Sequence, residues 1–291
     1  MLRKLPSFDY YQPSTIEEAL SLMEKLDGGV SLLAGGTDLL VAMKDGRLRH
    51  RTLVDIKHIS NLGAIRPEDA GLCLGAAVNT RTIARSPLVK ERFPLLSQAL
   101  AVLGSMQIGN RATIGGNLAN ASPAADSAPA LLSLEASVKL VGPQGERLVP
   151  LENFFSGPGK TVLERELLTE IHVPSAPDQG RGVFYKLGPR GAPEDICIVS
   201  VAVFAVADAS KRIWTDVRIA LGAVAPTPIR ARNAEKALLG QLIEGRAVED
   251  AARLAAEKDA RPISDIRGSA SYRRAMVKIL VARALEQLSE R

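Results

Sequence analysis

The sequence predicts an α+β protein in three parts: a small α/β unit over residues 1–57, an antiparallel-sheet region over 58–176, and a C-terminal α+β part over 177–291. Three observations predict it. Two double-glycine stretches, Leu32-Leu33-Ala34-Gly35-Gly36-Thr37-Asp38-Leu39 and Thr113-Ile114-Gly115-Gly116-Asn117-Leu118-Ala119-Asn120, punctuate apolar and helical runs. A Gly-Pro-Gln-Gly turn at 142–145 separates two strand-like segments. A polar, turn-rich segment, Ser175–Gly182, marks the last boundary. A chain of 291 residues exceeds one usual hydrophobic core, so subdomains are expected.

The first unit opens with a short strand over Phe8–Gln12 that ends at Pro13, and Ser14-Thr15-Ile16-Glu17 reads as a capping box. A helix over Thr15–Leu26 follows, with Ile16, Ala19, Leu20, Met23 and Leu26 on one face, and Gly28-Gly29 ends it. Strand Val30–Ala34, a helix over Thr37–Asp45 and strand Arg51–Ile56 complete a β-α-β-α-β unit. Helical crossovers make its strands parallel.

The middle part reads as strand Leu72–Ala77, helices Thr80–Ala84 and Pro94–Leu103, the second glycine loop, an apolar helix over Pro123–Leu134, and the hairpin Ser137–Val141 with Gly145–Val149. Strand Glu166–Val173 closes at Pro174. Short strands so joined predict an antiparallel sheet. The last third holds strand Val183–Leu187, two long strands at Ile196–Ala207 and Trp214–Val224, and helices at Glu235–Leu239, Val248–Glu257 and Ser271–Ser289. The final helix places Arg273, Arg274, Lys278 and Arg283 on a solvated or docking side.

Composition narrows the function. The net charge of +5 comes without Lys/Arg clusters interleaved with aromatics, which argues against nucleic acid, and a basic surface equally serves an acidic partner subunit. Cys73 and Cys197 each sit in apolar runs and read as buried free thiols. The three histidines, His50, His58 and His172, are scattered, and no metal-ligand spacing exists, so any metal or iron–sulfur cluster is expected in another chain. Neither a signal-peptide core nor an apolar run long enough to span a bilayer is present, which predicts a cytoplasmic protein without a transmembrane segment.

Adjacent glycines remove every Cβ from a turn, so backbone amides can close on an anion. At Gly35-Gly36 the N-terminus of the following helix would face that anion, although an ordinary strand-to-helix turn also explains the pair. Around Gly115-Gly116, the side chains of Thr113, Asn117, Asn120, Ser122 and Asp126 supply hydroxyl, amide and carboxylate groups suited to a polar, hydroxyl-rich ligand. Ser122 before Pro123 is also a helix start signal, and both readings stand for different residues. Lys186, at a strand end, reads first as solvated.

Other signatures fail. Gly157-Pro-Gly-Lys160-Thr161 resembles the end of a Walker A loop, but Phe154 stands where its first glycine belongs. No Gly-x-Gly-x-x-Gly follows a strand. No nucleophile with a base, and no paired carboxylates, emerge as catalytic residues. The chain has places to hold a cofactor and little with which to transform a substrate.

At Ala34-Gly-Gly-Thr-Asp-Leu-Leu40, at Thr113-Ile-Gly-Gly-Asn117 running into Ala121-Ser-Pro-Ala-Ala-Asp126, and at Asp265-Ile-Arg-Gly-Ser-Ala-Ser-Tyr-Arg-Arg274, the sequence resembles the FAD-binding medium chains of the molybdenum hydroxylases, the group of carbon monoxide dehydrogenase and xanthine dehydrogenase. The likeness spans essentially the whole chain. It implies a vanillyl-alcohol-oxidase (PCMH)-type fold with noncovalent FAD between the first two parts and a lid-like C-terminal domain. Carried across, the Ala34–Asp38 backbone (Ala34, Gly35, Gly36, Thr37, Asp38) would wrap the pyrophosphate, and the flanking Leu32, Leu33 and Leu39 would belong to the same cofactor-binding stretch. Thr113, Gly116, Asn120 and Asp126 would contact the ribityl, diphosphate and flavin regions, with Gly115, Asn117 and Ser122 of the same motif also cofactor-binding; Leu168 would lie by the isoalloxazine, and Lys186 would stand near the ring, where a cation by N1 has an electrostatic purpose.

The resemblance also implies partners: a large subunit with a molybdenum-pterin cofactor, a small subunit with two [2Fe-2S] clusters, assembly as a dimer of heterotrimers, and an external electron acceptor. One departure stands out. The related 4-hydroxybenzoyl-CoA reductase flavoprotein carries an inserted iron–sulfur loop with several cysteines, and nothing here plays that part. A stand-alone FAD oxidase of the same fold and a flavin-free scaffold are the alternatives, disfavoured respectively by the missing acid–base residues and the intact glycine motifs.

Overall fold

The computed structural model describes residues 4–26, 29–177, 179–192, 194–208, 210–243 and 245–290. Gly28, the expected helix stop, and Asp178, within the expected boundary segment, lie outside them.

The N-terminal unit comprises β1 (Asp9–Tyr11), α1 (Ile16–Lys25), β2 (Val30–Leu33), α2 (Leu39–Lys44) and β3 (Thr52–Asp55). Its strands run in the order β1-β3-β2 and both pairings are parallel, as helical crossovers require. The cap of α1 is shifted by one residue from the expected box. Thr15 Oγ1 accepts from the Glu18 amide at 3.1 Å, and Glu18 Oε2 reaches back to the Ser14 amide at 2.7 Å. The unit's small core, including Ala19, Val54, Ile56, Ile59 and Leu62, also takes in Leu167 from the next sheet.

The middle part contains β4 (Ile65–Glu68), β5 (Gly71–Gly75), α3 (Thr80–Arg85), α4 (Pro87–Arg92), α5 (Pro94–Ala101), α6 (Met106–Gly109), α7 (Ile114–Ala119), α8 (Ser127–Ser133), β6 (Ser137–Gly142), β7 (Gly145–Pro150), β8 (Phe155–Gly157), β9 (Lys160–Thr161) and β10 (Leu167–Pro174). The main sheet has the order β4-β5-β10-β6-β7 and is antiparallel throughout. Leu72, Leu74, Val138, Leu140, Leu168, Ile171 and Val173 face the helices and form the largest core. Two sequence expectations are corrected here. The second glycine stretch is the first turn of α7 rather than a loop, and the apolar helix begins at Ser127 rather than Pro123. Ser122 Oγ instead accepts from the Ala124 amide at 3.2 Å, closing a local turn that delays the helix.

The C-terminal part is the antiparallel sheet β11 (Arg181–Leu187), β12 (Val199–Asp208), β13 (Ile213–Gly222) and β14 (Ile229–Arg230), followed by α9 (Arg232–Leu238), α10 (Arg246–Leu254) and α11 (Ala270–Ser289). The near-continuous apolar run of β12 follows from burial on both faces. Ala202 and Phe204 point into the middle core, while Val199, Val201, Val203 and Ala205 belong to the cluster packed with α9–α11. Each such Val or Phe contributes about 1.5–3 kcal/mol on burial. Ile196, expected at the start of this strand, precedes it and is exposed.

Arg273 is a further correction. It is 2% exposed rather than solvated, because its guanidinium donates to Ile198 O at 2.7 Å, Ala223 O at 2.8 Å and Asp265 Oδ1 at 2.7 Å. Arg274, Lys278 and Arg283 are exposed.

Candidate flavin site

At Gly35 the turn after β2 leaves no room for a side chain. A Cβ on Gly35 would stand 2.2 Å from Arg111 O and 2.9 Å from Ala112 Cα, and Gly36 adopts φ +74°. The first glycine motif is therefore pressed against the chain entering the second. Leu32 and Leu33 end β2, Ala34–Asp38 form the turn, and Leu39 begins α2. With six residues and Asp38 at its N-cap, α2 offers little dipole to an anion, so the turn's amides carry that part of the argument.

The second motif is equally close-packed. Thr113, 2% exposed, pairs with Asn79 in an isolated bridge, and its Oγ1 accepts from the Gly116 amide at 3.2 Å, capping α7. A Cβ on Gly115 would meet Ala76 Cβ at 2.5 Å. Asn117 Oδ1 accepts from Ser127 Oγ at 2.5 Å, which joins α7 to the start of α8 beside Asp126. Asn120 caps the end of α7 and is exposed, and Ser122 lies in the turn beyond it.

Asp126 and Lys186 form the inner end of this strip. Lys186, expected in solution, has a side chain only 5% exposed; its ammonium donates to Asp126 Oδ2 at 2.7 Å and to Val102 O at 2.8 Å. Burial raises the Asp126 carboxyl to about 6 against the opposing pull of Lys186. Its other oxygen, Oδ1, is buried and has no hydrogen-bond partner among the described residues. Leu168 is 5% exposed in the main core, at a bulge in β10 where Thr169 O accepts from the Ala76 amide at 2.9 Å.

The structure thus links the two glycine motifs through Arg111–Ala112, and the second motif to Asp126 and Lys186 through Asn117 and Ser127. Several neighbours escaped sequence reasoning. The Ala76–Asn79 turn, Arg111, Ala112 and Val102 act through backbone atoms, which no side-chain motif reveals. Cys197 is another: its Sγ lies 3.7 Å from Ala124 O, and burial, then the Asp126 charge, push the thiol up to about 12. It is a neutral donor there, not a nucleophile. A separate cleft of about 770 Å³ opens between α1–β2 and the β6–β7 turn, and Leu32 is the single motif residue on its wall.

Comparison with known proteins decides the family. The family described as FAD binding domain in molybdopterin dehydrogenase matches residues 6–176, and the CO dehydrogenase flavoprotein C-terminal domain matches residues 183–288. The chain belongs to this flavoprotein family. It is 37% identical over 281 residues to the carbon monoxide dehydrogenase medium chain of Hydrogenophaga pseudoflava, covering 96% of each chain. It is 31% identical to the xanthine dehydrogenase FAD-binding subunit of Escherichia coli O157:H7, over 96% of this chain and 94% of the relative. A solved structure of carbon monoxide dehydrogenase from Hydrogenophaga pseudoflava superposes with TM-score 0.93 at 36% identity, covering 97% of each chain. The family and the fold implied by the motif resemblance are both borne out. Among the described residues, no helix is long and apolar enough to cross a membrane.

Proposed function

We propose that this flavoprotein chain is the electron-transfer subunit of a heteromeric molybdenum hydroxylase. It receives electrons from [2Fe-2S] clusters of a small partner subunit, while a large subunit with a molybdenum-pterin cofactor oxidises the organic substrate. A dimer of heterotrimers in the cytoplasm, delivering electrons to an external acceptor, completes the reading.

The observation that carries it is the buried Asp126 Oδ1, without a partner among the described residues, at the end of a strip that starts at a turn whose Gly35 is closed to any Cβ. These features fit FAD: amides for a pyrophosphate at one end, an orphan acceptor for a ring or ribityl donor at the other. When bound, FAD supplies reversible redox chemistry between one-electron and two-electron carriers. The chain's own residues bind and orient. The Ala34–Asp38 turn would hold the pyrophosphate, flanked by Leu32, Leu33 and Leu39, while Thr113, Gly115, Gly116, Asn117, Asn120 and Ser122 would line the middle. Lys186 would keep a positive charge by the ring, with Asp126 fixing its position, and Leu168 would back the site.

The division into 1–57, 58–176 and 177–291 belongs to the same reading: the first two parts hold the cofactor and the third, which contributes Lys186, closes over it. The test is substrate-driven bleaching of the flavin in the co-purified complex. Bleaching that requires both partner subunits supports the relay. Direct bleaching of the isolated chain by a small organic substrate would instead establish a stand-alone oxidase.

A further inference from the structure

The outer face of the antiparallel sheet carries a cluster that the flavin reading does not use. Arg66 in β4 is registered with Cys73 in β5, and Cys73 with His172 in β10, so three adjacent strands bring these side chains to one face, opposite the core. Glu68, two residues along β4 from Arg66, joins them. One ligand atom each from Glu68, Cys73 and His172 lies within 4.8 Å of the others.

The surroundings of His172 add an independent sign. Its Nε2 lies 3.0 Å from Glu170 Oε2 and its Nδ1 lies 3.4 Å from Glu68 Oε2. A neutral imidazole has one N–H, so it satisfies only one of two facing carboxylates and sets a lone pair against the other. Glu170 is held by Arg66 at 2.5 Å, which makes it the fixed acceptor for Nε2–H. The Nδ1 lone pair then points toward Glu68, where a cation resolves the conflict. A carboxylate that orients a histidine toward a metal in this way is the usual outer support of such centres. Burial and then the Glu170 charge push the Cys73 thiol up to about 11 against the opposing pull of the Arg66 guanidinium 3.1 Å from Sγ, so an ion bound here must displace the thiol proton.

We propose that Glu68, Cys73 and His172 form a binding site for a divalent d-block cation, with zinc the best match to the donor set. Nitrogen, sulfur and carboxylate oxygen suit zinc, and tetrahedral bonds of ordinary length separate ligand atoms by about 3.3–3.6 Å, so modest side-chain rotation closes the cluster. Water fills the fourth position. Glu68 is exposed and His172 half-buried, which opens a path for the ion above the buried Cys73. The bound ion fastens β4 and β5 to β10. The spacing of these ligands in sequence gave no sign of the site because each comes from a different strand.

The test is titration of the metal-depleted full chain with Co(II), an optical stand-in for zinc. The expected result is saturation at one equivalent with a thiolate-to-cobalt charge-transfer band, displaced by zinc. Cys73→Ser removes the band, Cys197→Ala retains it, and Glu170→Gln weakens affinity by about 10- to 100-fold. No saturable binding by the wild-type chain overturns the proposal. A band that survives Cys73→Ser overturns it equally.

Discussion

Lys186 Nζ lies 2.7 Å from Asp126 Oδ2, and both side chains are less than a tenth exposed. The pair joins the C-terminal sheet to the start of α8, so it is at once a domain contact and the inner end of the flavin strip. Asp126→Asn leaves a buried ammonium without its counter-ion and should cost about 3–5 kcal/mol in denaturant unfolding. The double change Asp126→Leu with Lys186→Met should come within about 2 kcal/mol of wild type, because an apolar pair of similar volume replaces the ions. FAD affinity should stay low in that double variant, since the acceptor and the cation are both gone. Full affinity there would remove both residues from the site.

The same carboxyl makes stability depend on pH. Burial raises its folded-state value to about 6 from an ordinary 3.8, so the folded chain binds more protons than the unfolded one between those values. The contribution is fully present below about pH 4 and is lost as pH rises through 6, amounting to roughly 2–3 kcal/mol. Comparison of urea midpoints for wild type and the Asp126→Leu/Lys186→Met double variant, which removes both charges, across pH 4–7 should show wild type losing stability against the variant as pH rises.

Gly35 is sensitive for a reason separate from phosphate binding. A Cβ there meets Arg111 O at 2.2 Å, so Gly35→Ala must displace the segment that leads into Thr113. A loss of about 1–3 kcal/mol is expected, with at least tenfold weaker FAD binding measured by flavin fluorescence. Gly35→Val with Gly36→Val should abolish binding. Gly191, at positive φ like Gly36 but with open space around it, serves as the control: Gly191→Ala should lose stability through backbone strain alone and keep its FAD.

Arg273→Met should cost about 3–5 kcal/mol, because it leaves Asp265 without one of its cations and strips donors from Ile198 O and Ala223 O. Desolvation opposes ionisation of Asp265, yet bonds from the Arg267 amide and guanidinium and from Arg273 hold it down to about 2. Its stabilising contribution is therefore present above about pH 4 and lost as pH falls through 2. Wild type should lose this advantage over Arg273→Met in acid unfolding over that range.

The parallel N-terminal unit was legible in the sequence because helices alternated with short strands, and the hairpin at 142–145 because glycines framed its turn. Gly35-Gly36 was legible as a place where backbone must come close. Other features were hidden by long-range partners. Gly115 and Gly116 read as a loop because glycine disfavours helix, but α7 needs small residues where it packs on Ala76 and under Thr113. Strand β4 was missed because it contains Pro67, which an edge strand tolerates. Lys186 and Arg273 read as solvated charges because Asp126 and Val102, and Ile198 and Ala223, are distant in sequence. Propensity describes what a residue prefers alone, whereas burial of a charge depends on the partners the fold delivers.

The central claim is that this chain itself holds FAD noncovalently along the strip from Gly35 to Lys186. Its most direct test is the flavin content of the purified full chain after incubation with excess FAD and gel filtration. The account predicts one FAD per chain, released into the supernatant by acid precipitation. A colourless chain that takes up no FAD, or a flavin that stays with the acid precipitate, would contradict it.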